Sequence, residues 1–186
     1  VDEFSIGRVT NSNEHNFLGY KGGARLSNWP LKDLSVLGEL TYTLPMTYQH
    51  RTSTTTFESN SYNLGHYMRD NSMDLYLSVI YKPIRGLRID LSYNYGKHGN
   101  NYIYGEYNPP DEAPILQDIT WQKSVVGLRG KYEFINNAYV FAGVFISDIQ
   151  GHDVDGLTAE DYLGMFGPEM FWGNTTTINL GFNVGF

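Results

Sequence analysis

The side chains of this chain that could do chemistry are mainly carboxylates, and they cluster. Residues 149–174 hold Asp153, Asp155, Glu160, Asp161 and Glu169, residues 101–119 hold Glu106, Asp111, Glu112 and Asp118, and neither stretch has a Lys or Arg. Asp153-Val154-Asp155-Gly156 combines paired carboxylates with a turn-forming Gly, which suits a hard cation such as calcium. The ligand spacing of a calcium-binding loop fails, because Tyr162 stands where the closing Glu would be. A solvated acidic loop is the expectation, with no metal. His50, His66, His98 and His152 have no metal-ligand spacing and read as polar loop residues. There is no Cys, so no disulfide or thiolate site. Ser, His and acidic residues do gather toward the same end. No G-x-S-x-G motif accompanies them, and neither enzymatic activity nor a cofactor is expected.

A second set of charges recurs at alternate positions: Lys21 and Arg25; Glu39; Asp74 and Lys82; Arg88 and Asp90; Lys123, Arg129, Lys131 and Glu133. Apolar residues fill the positions between. In 72–82, Met73, Leu75, Leu77, Val79 and Tyr81 oppose Asp74, Ser78 and Lys82. In 87–95, Leu87, Ile89, Leu91, Tyr93 and Tyr95 oppose Arg88, Asp90, Ser92 and Asn94. Such period-two alternation sends one face of a strand into an apolar medium and the other into a polar one. Segments 18–27, 34–48 and 123–134 follow the same rule, with 34–48 running through Leu44, Met46 and Tyr48. The clearest case is 172–186, where Ile178, Leu180, Phe182, Val184 and Phe186 alternate with small or polar residues. Segment 138–147 is apolar on both faces, so its orientation stays open. Residues 3–10 are the weakest strand candidate.

The connections sort by length. Those around 28–33, 83–86 and 135–137 are short, and those around 49–71, 99–119 and 149–171 are long, in strict alternation. Transmembrane barrels behave this way, with short periplasmic turns and long external loops. Composition agrees: 15 Tyr, 10 Phe and 20 Gly favour strands and turns. No apolar run reaches the length of a membrane-spanning helix, and no helical segment is needed. A mean hydropathy of −0.37 does not argue against a barrel, whose strands alternate. A net charge of −7 argues against nucleic acid as a partner. The chain opens at Val1 without Met or a leader, as a mature or truncated product would.

The expected fold is therefore all-β: an antiparallel transmembrane β-barrel of the outer-membrane type, with about 7–8 strands in one domain. It either closes alone or supplies part of a larger barrel, and the expected location is the bacterial outer membrane. A lipocalin-like barrel or sandwich is the soluble alternative, with the apolar face turned inward. The apolar faces favour the membrane, because they carry no charge in the clear strands and have Tyr or Trp near several ends. On that reading Lys21, Arg25, Glu39, Asp74, Arg88, Asp90, Lys123, Arg129, Lys131 and Glu133 face the lumen. They either line a charged pore or fill a closed barrel with paired charges.

Pro45-Met46-Thr47-Tyr48-Gln49-His50-Arg51, followed by Ser61-Tyr62-Asn63-Leu64-Gly65-His66, resembles the C-terminal part of Bacteroidota outer-membrane proteins of the capsule-assembly (Wzi-like) type. Tyr81-Lys82-Pro83-Ile84-Arg85-Gly86-Leu87 and Ile178-Asn179-Leu180-Gly181-Phe182 carry the same resemblance. It implies a barrel of more strands than this chain holds and a non-enzymatic role in holding or organising surface polysaccharide. Phe186 resembles the terminal aromatic that the barrel-insertion machinery reads. Implied partners are that machinery, outer-membrane lipid and lipopolysaccharide, with surface polysaccharide or other envelope proteins at the loops. Loop aromatics Tyr48, Tyr62, Tyr104, Tyr107, Phe166 and Trp172 are the candidate glycan contacts, because aromatic faces stack on sugar C–H surfaces. The alternative functions are a porin or solute channel, and a structural subunit of an outer-membrane complex.

Overall fold

The alternation makes strands nearly everywhere it was found. A computed structural model describes residues 18–50, 57–59, 62–103 and 113–185, of Tyr62 the backbone only. The main strands are β1 (Gly19–Ser27), β2 (Leu34–Thr43), β5 (Ser72–Tyr81), β6 (Leu87–His98), β7 (Trp121–Ile135), β8 (Ala138–Gly151) and β9 (Gly173–Val184). A two-residue pair, β3 (Glu58–Ser59) with β4 (Tyr62–Asn63), sits in the first long loop. The seven main strands form one antiparallel meander in the order β1-β2-β5-β6-β7-β8-β9. β1 and β9 do not pair, so the sheet is open rather than a closed barrel. The candidate strand at 3–10 and Phe186 lie outside the described residues.

The register joins the apolar faces into one surface. Leu26, Val36, Val79, Leu91, Leu128, Val144 and Ile178 are successive cross-strand partners, one from each main strand. Directly paired residues project to the same side, so this row crosses the whole sheet on one face. That face is bare: Leu128, Ile178, Leu180 and Phe182 are all exposed, Phe182 by 79%. From Ala138 to Ile146 the apolar parity of β8 runs unbroken, about 27 Å at about 3.4 Å per residue. Toward the long loops it gives way to a polar collar, in which Lys97, Gln122, Asp148, Gln150 and Asn174 share the parity. The charges in that collar were not expected on this face. They come from β6 and β8, which run further than the alternation in 87–95 and 138–147 disclosed.

Register also settles β8. Its even positions join the bare face, while Phe141 and Phe145 point to the other side. There they lie over glycines of neighbouring strands. A Cβ at Gly181 would strike the Phe141 ring, and one at Gly127 would strike Phe145. A large ring beside a missing side chain fills the sheet surface without strain.

The short turns use residues that tolerate left-handed backbone. Asn28 and Asp33 (φ 59° and 61°) bracket the first, where the Asn28 carboxamide accepts from the Asp33 amide at 2.9 Å. Gly86 (φ 83°) closes the second, with its carbonyl accepting from the Glu133 amide at 2.9 Å. Asn137 (φ 62°) closes the third.

Two expectations are corrected. The strand expected over 34–48 stops at Thr43, because Pro45 has no amide to donate and Met46 turns left-handed (φ 61°). Met46 is consequently buried, rather than on the bare face. The third long loop contains a helix where none was expected, α1 (Ala159–Phe166). Thr158 and Asp161 cap each other's backbone there, and Gly167 ends it.

The buried apolar clusters lie at the long-loop end. Met46, Tyr102 and Ala113 form one, and Met68, Trp121 and Leu163 form another, with Ile149, Phe166 and Trp172 packed against the second.

Candidate functional site

The site is the polar face of the sheet where the long loops fold over it. All ten charged residues expected to share a face do so by register. Most are neutralised locally. Lys21 meets Glu39 at 3.5 Å. Asp90 takes a fork from Arg88, Nη2 at 2.7 Å and Nε at 2.9 Å, and lies 3.9 Å from the Arg129 guanidinium opposite. The Lys131 ammonium sits 3.5 Å from the Tyr139 ring centroid. The Glu133 carboxylate accepts from the Asn137 amide. Arg25 makes no ion pair among the described residues.

Asp74 is the hub. Its buried carboxylate accepts from the Tyr67 hydroxyl at 2.7 Å and the Asn94 carboxamide at 2.8 Å. His66 Nε2 stands 3.6 Å away and Lys123 Nζ 3.9 Å. The Lys123 ammonium also lies 4.4 Å from the Tyr67 ring centroid. Two of these groups, His66 and Tyr67, come from the first long loop, so the loop is latched onto the polar face of the sheet. Burial and the adjacent carboxylate both push the Tyr67 hydroxyl above its ordinary range, keeping it a donor.

Above the hub the three long loops are sewn together by buried polar groups. The Asn71 carboxamide accepts from the Leu116 amide at 2.8 Å and donates to the Asn100 carbonyl at 2.9 Å. Asn100 in turn donates to Asp118 at 3.2 Å and Asp155 at 3.0 Å. Thr120 Oγ1 lies 3.2 Å from the His98 carbonyl and 3.1 Å from that of Gly99. It also lies 2.9 Å from His98 Nδ1, so the imidazole and the hydroxyl share a hydrogen bond. The His98 ring is flanked by Trp121 (6.3 Å, stacked) and Phe166 (4.9 Å, tilted). Outside the strands, burial raises the Asp70 carboxyl to about 6, against the opposing pull of the Tyr48 amide (2.8 Å) and Gln49.

The expected glycan contacts are divided. Tyr48 is half-buried, its ring against Gly65 and stacked on Phe57, and its hydroxyl accepts from the His66 amide at 3.0 Å. Phe166 and Trp172 pack against the Met68–Trp121–Leu163 cluster. Tyr104, Tyr107 and the Tyr62 side chain lie outside the described residues. Exposed apolar groups at this end include Tyr67, Phe57, Ile103, Met170 and Phe171, which the sequence reading did not select. Trp121 was also missed, although it shares the parity of Lys123 and could have been found from it, and Asn94, placed on the polar face, was not picked out as a partner of Asp74. Among the described residues, no group of three or more His, Asp or Glu is placed to hold a metal ion.

The fold and site together define an open antiparallel sheet with one bare apolar face and one charge-paired face capped by loops. No family model matches the chain, and neither a curated protein nor a solved structure does.

Proposed function

We propose that these strands form wall of an outer-membrane β-barrel whose role is non-enzymatic: holding or organising surface polysaccharide at the long-loop end. The observation that carries the membrane reading is the apolar row from Leu26 to Ile178, bare on one side of a sheet whose other side is charged and paired. A bare apolar surface of this extent associates indiscriminately in water. Hydrocarbon is the solvent it matches, and the run on β8 from Ala138 to Ile146 reaches the lower end of the roughly 9–11 residues that a tilted strand uses to cross. The short turns then face the periplasm and the long loops the exterior.

The polysaccharide role draws on the capsule-assembly resemblance and on the chemistry of the loop end. Exposed Tyr67 and Phe171 offer faces for sugar C–H stacking, and Asp118, Asp153 and Asp155 offer hydrogen-bond acceptors. Host capsular polysaccharide, applied to the chain in lipid nanodiscs, should be retained above an unrelated barrel of similar size. Equal retention on both would sink the glycan role and leave the membrane reading standing. A protein that stays in the aqueous phase after mixing with vesicles would remove the membrane reading itself.

A further inference from the structure

The sheet ends on two unpaired strands, and their backbone limits what can join them. In the β1–β2 pair the Asn28 amide donates to the Leu34 carbonyl and the Leu44 amide to the Leu18 carbonyl, so the even positions of β1 bond to β2. Bonds alternate sides along an antiparallel strand, so Gly19, Lys21, Gly23, Arg25 and Ser27 turn their amides and carbonyls to the free edge. The Gly185 amide donates to the Asn137 carbonyl, and the even positions of β9 therefore face its own free edge. In hydrocarbon such rows of unpaired groups do not persist. Direction then restricts the partner. β1 and β9 both run from the long-loop end to the short-turn end, because the meander has seven strands. Pairing them with each other would be parallel, in a sheet whose every pair is antiparallel. A second copy in the same membrane orientation offers only the same two edges, running the same way.

Side chains narrow it further. β1 is exposed along its whole length. Tyr20, Gly22, Ala24 and Leu26 lie on its bare face, and Lys21 and Arg25 on its polar face. Glu39 neutralises Lys21 at 3.5 Å, while Arg25 stands opposite Leu37 with no ion pair among the described residues. Because the Arg25 amide and carbonyl both face the edge, the residue they bond sits directly opposite and projects to the same polar side. We infer that the β1 edge receives one strand unlike any of these seven, running from the short-turn end toward the long-loop end, with a carboxylate opposite Arg25 and an apolar residue on either side of it. The carboxylate supplies the charge that Arg25 lacks, and the apolar flanks continue the bare face beside Ala24 and Leu26. This rests on the membrane reading above.

The test uses the full chain, floated with phosphatidylcholine vesicles, and probe peptides as long as β1 in which Ser or Gly alternates with Leu or Val. Glu takes the peptide position that meets Arg25 when the peptide runs as inferred. The chain has no Cys of its own, so a single Ser27→Cys or Gly19→Cys reports direction by disulfide formation. A peptide with Cys at its N-terminus should cross-link to Ser27→Cys and not to Gly19→Cys, and one with Cys at its C-terminus should do the reverse. Replacing the peptide's Glu by Lys should weaken capture roughly fivefold, and Arg25→Glu in the chain should invert that preference. No capture by chains that float, capture in the opposite direction, or equal capture of the two peptides would overturn the partner while leaving the membrane reading intact. Ser27→Cys chains that cross-link to one another would overturn it in favour of a second copy. Failure of the wild type to float would overturn both.

Discussion

The Tyr67 hydroxyl donates to the Asp74 carboxylate at 2.7 Å, joining the first long loop to the polar face of β5. Hydrogen bonds to buried charged groups contribute about 1.5–3 kcal/mol. Tyr67→Phe keeps the ring over the Lys123 ammonium and removes this bond alone. Hydrogen exchange across 64–71 should rise by roughly tenfold or more in the variant, with the strands beyond Gly86 unaffected. Unchanged exchange would mean that the ring contact, not the hydroxyl, holds the loop.

Asn71 links two loops through one buried carboxamide and holds a left-handed backbone (φ 48°). Asn71→Ala strands the Leu116 amide and the Asn100 carbonyl and adds backbone strain, so a loss of about 2–4 kcal/mol is expected. Asn71→Gly relieves only the strain and should recover about 1 kcal/mol. Denaturant melts of the two variants separate the contributions, and full recovery with Gly would show the carboxamide bonds to be immaterial.

Asp70 gives the loop end a pH dependence of definite sign. Its carboxyl titrates near 6 when folded, against 3.8 ordinarily, because burial penalises the charge. The folded state therefore holds the proton more tightly than the unfolded chain. Its contribution to stability is greatest below about pH 4, falls as pH rises toward about 6, and is level beyond, a span of about 3 kcal/mol. Asp70→Asn should flatten this slope in melts recorded between pH 4 and 8. A variant that retains the wild-type slope would place the dependence on another group.

Leu128 sits mid-row on the bare face, between Leu91 and Val144. If that face meets hydrocarbon, Leu128→Arg should destabilise the vesicle-folded protein by about 2–4 kcal/mol, and Asp148→Arg in the polar collar by no more than about 1. Equal effects at both positions would argue that neither is in a bilayer.

The strands were legible because alternation is a local property: in β5, β6 and β9 each side chain announces its face by type alone. The short turns were legible by length, and the structure puts left-handed residues in them at Gly86 and Asn137. β8 was not legible, since Phe141 and Phe145 are apolar yet belong to the polar side. Their partners Gly181 and Gly127 lie on other strands, and only pairing brings ring and gap together. The end of β2 was misjudged because Met46 keeps the apolar parity past Pro45, where the ladder has already stopped. The helix at 159–166 was missed, although Thr158 and Asp161 carry the spacing of a mutual cap.

The candidate site divides along the same line. That Asp74, Asp90, Lys123 and Arg129 would share a face followed from the sequence alone, because period two fixes side within a strand and the turn residues fix how strands return. Which charge meets which did not follow. Asp74 is held by Tyr67 and His66 from a loop and by Asn94 and Lys123 from two other strands, and Asn71 reaches Asn100 across 29 residues of chain. Those meetings depend on register and loop closure, which sum many weak contacts over the whole sheet, and no local pattern encodes that sum.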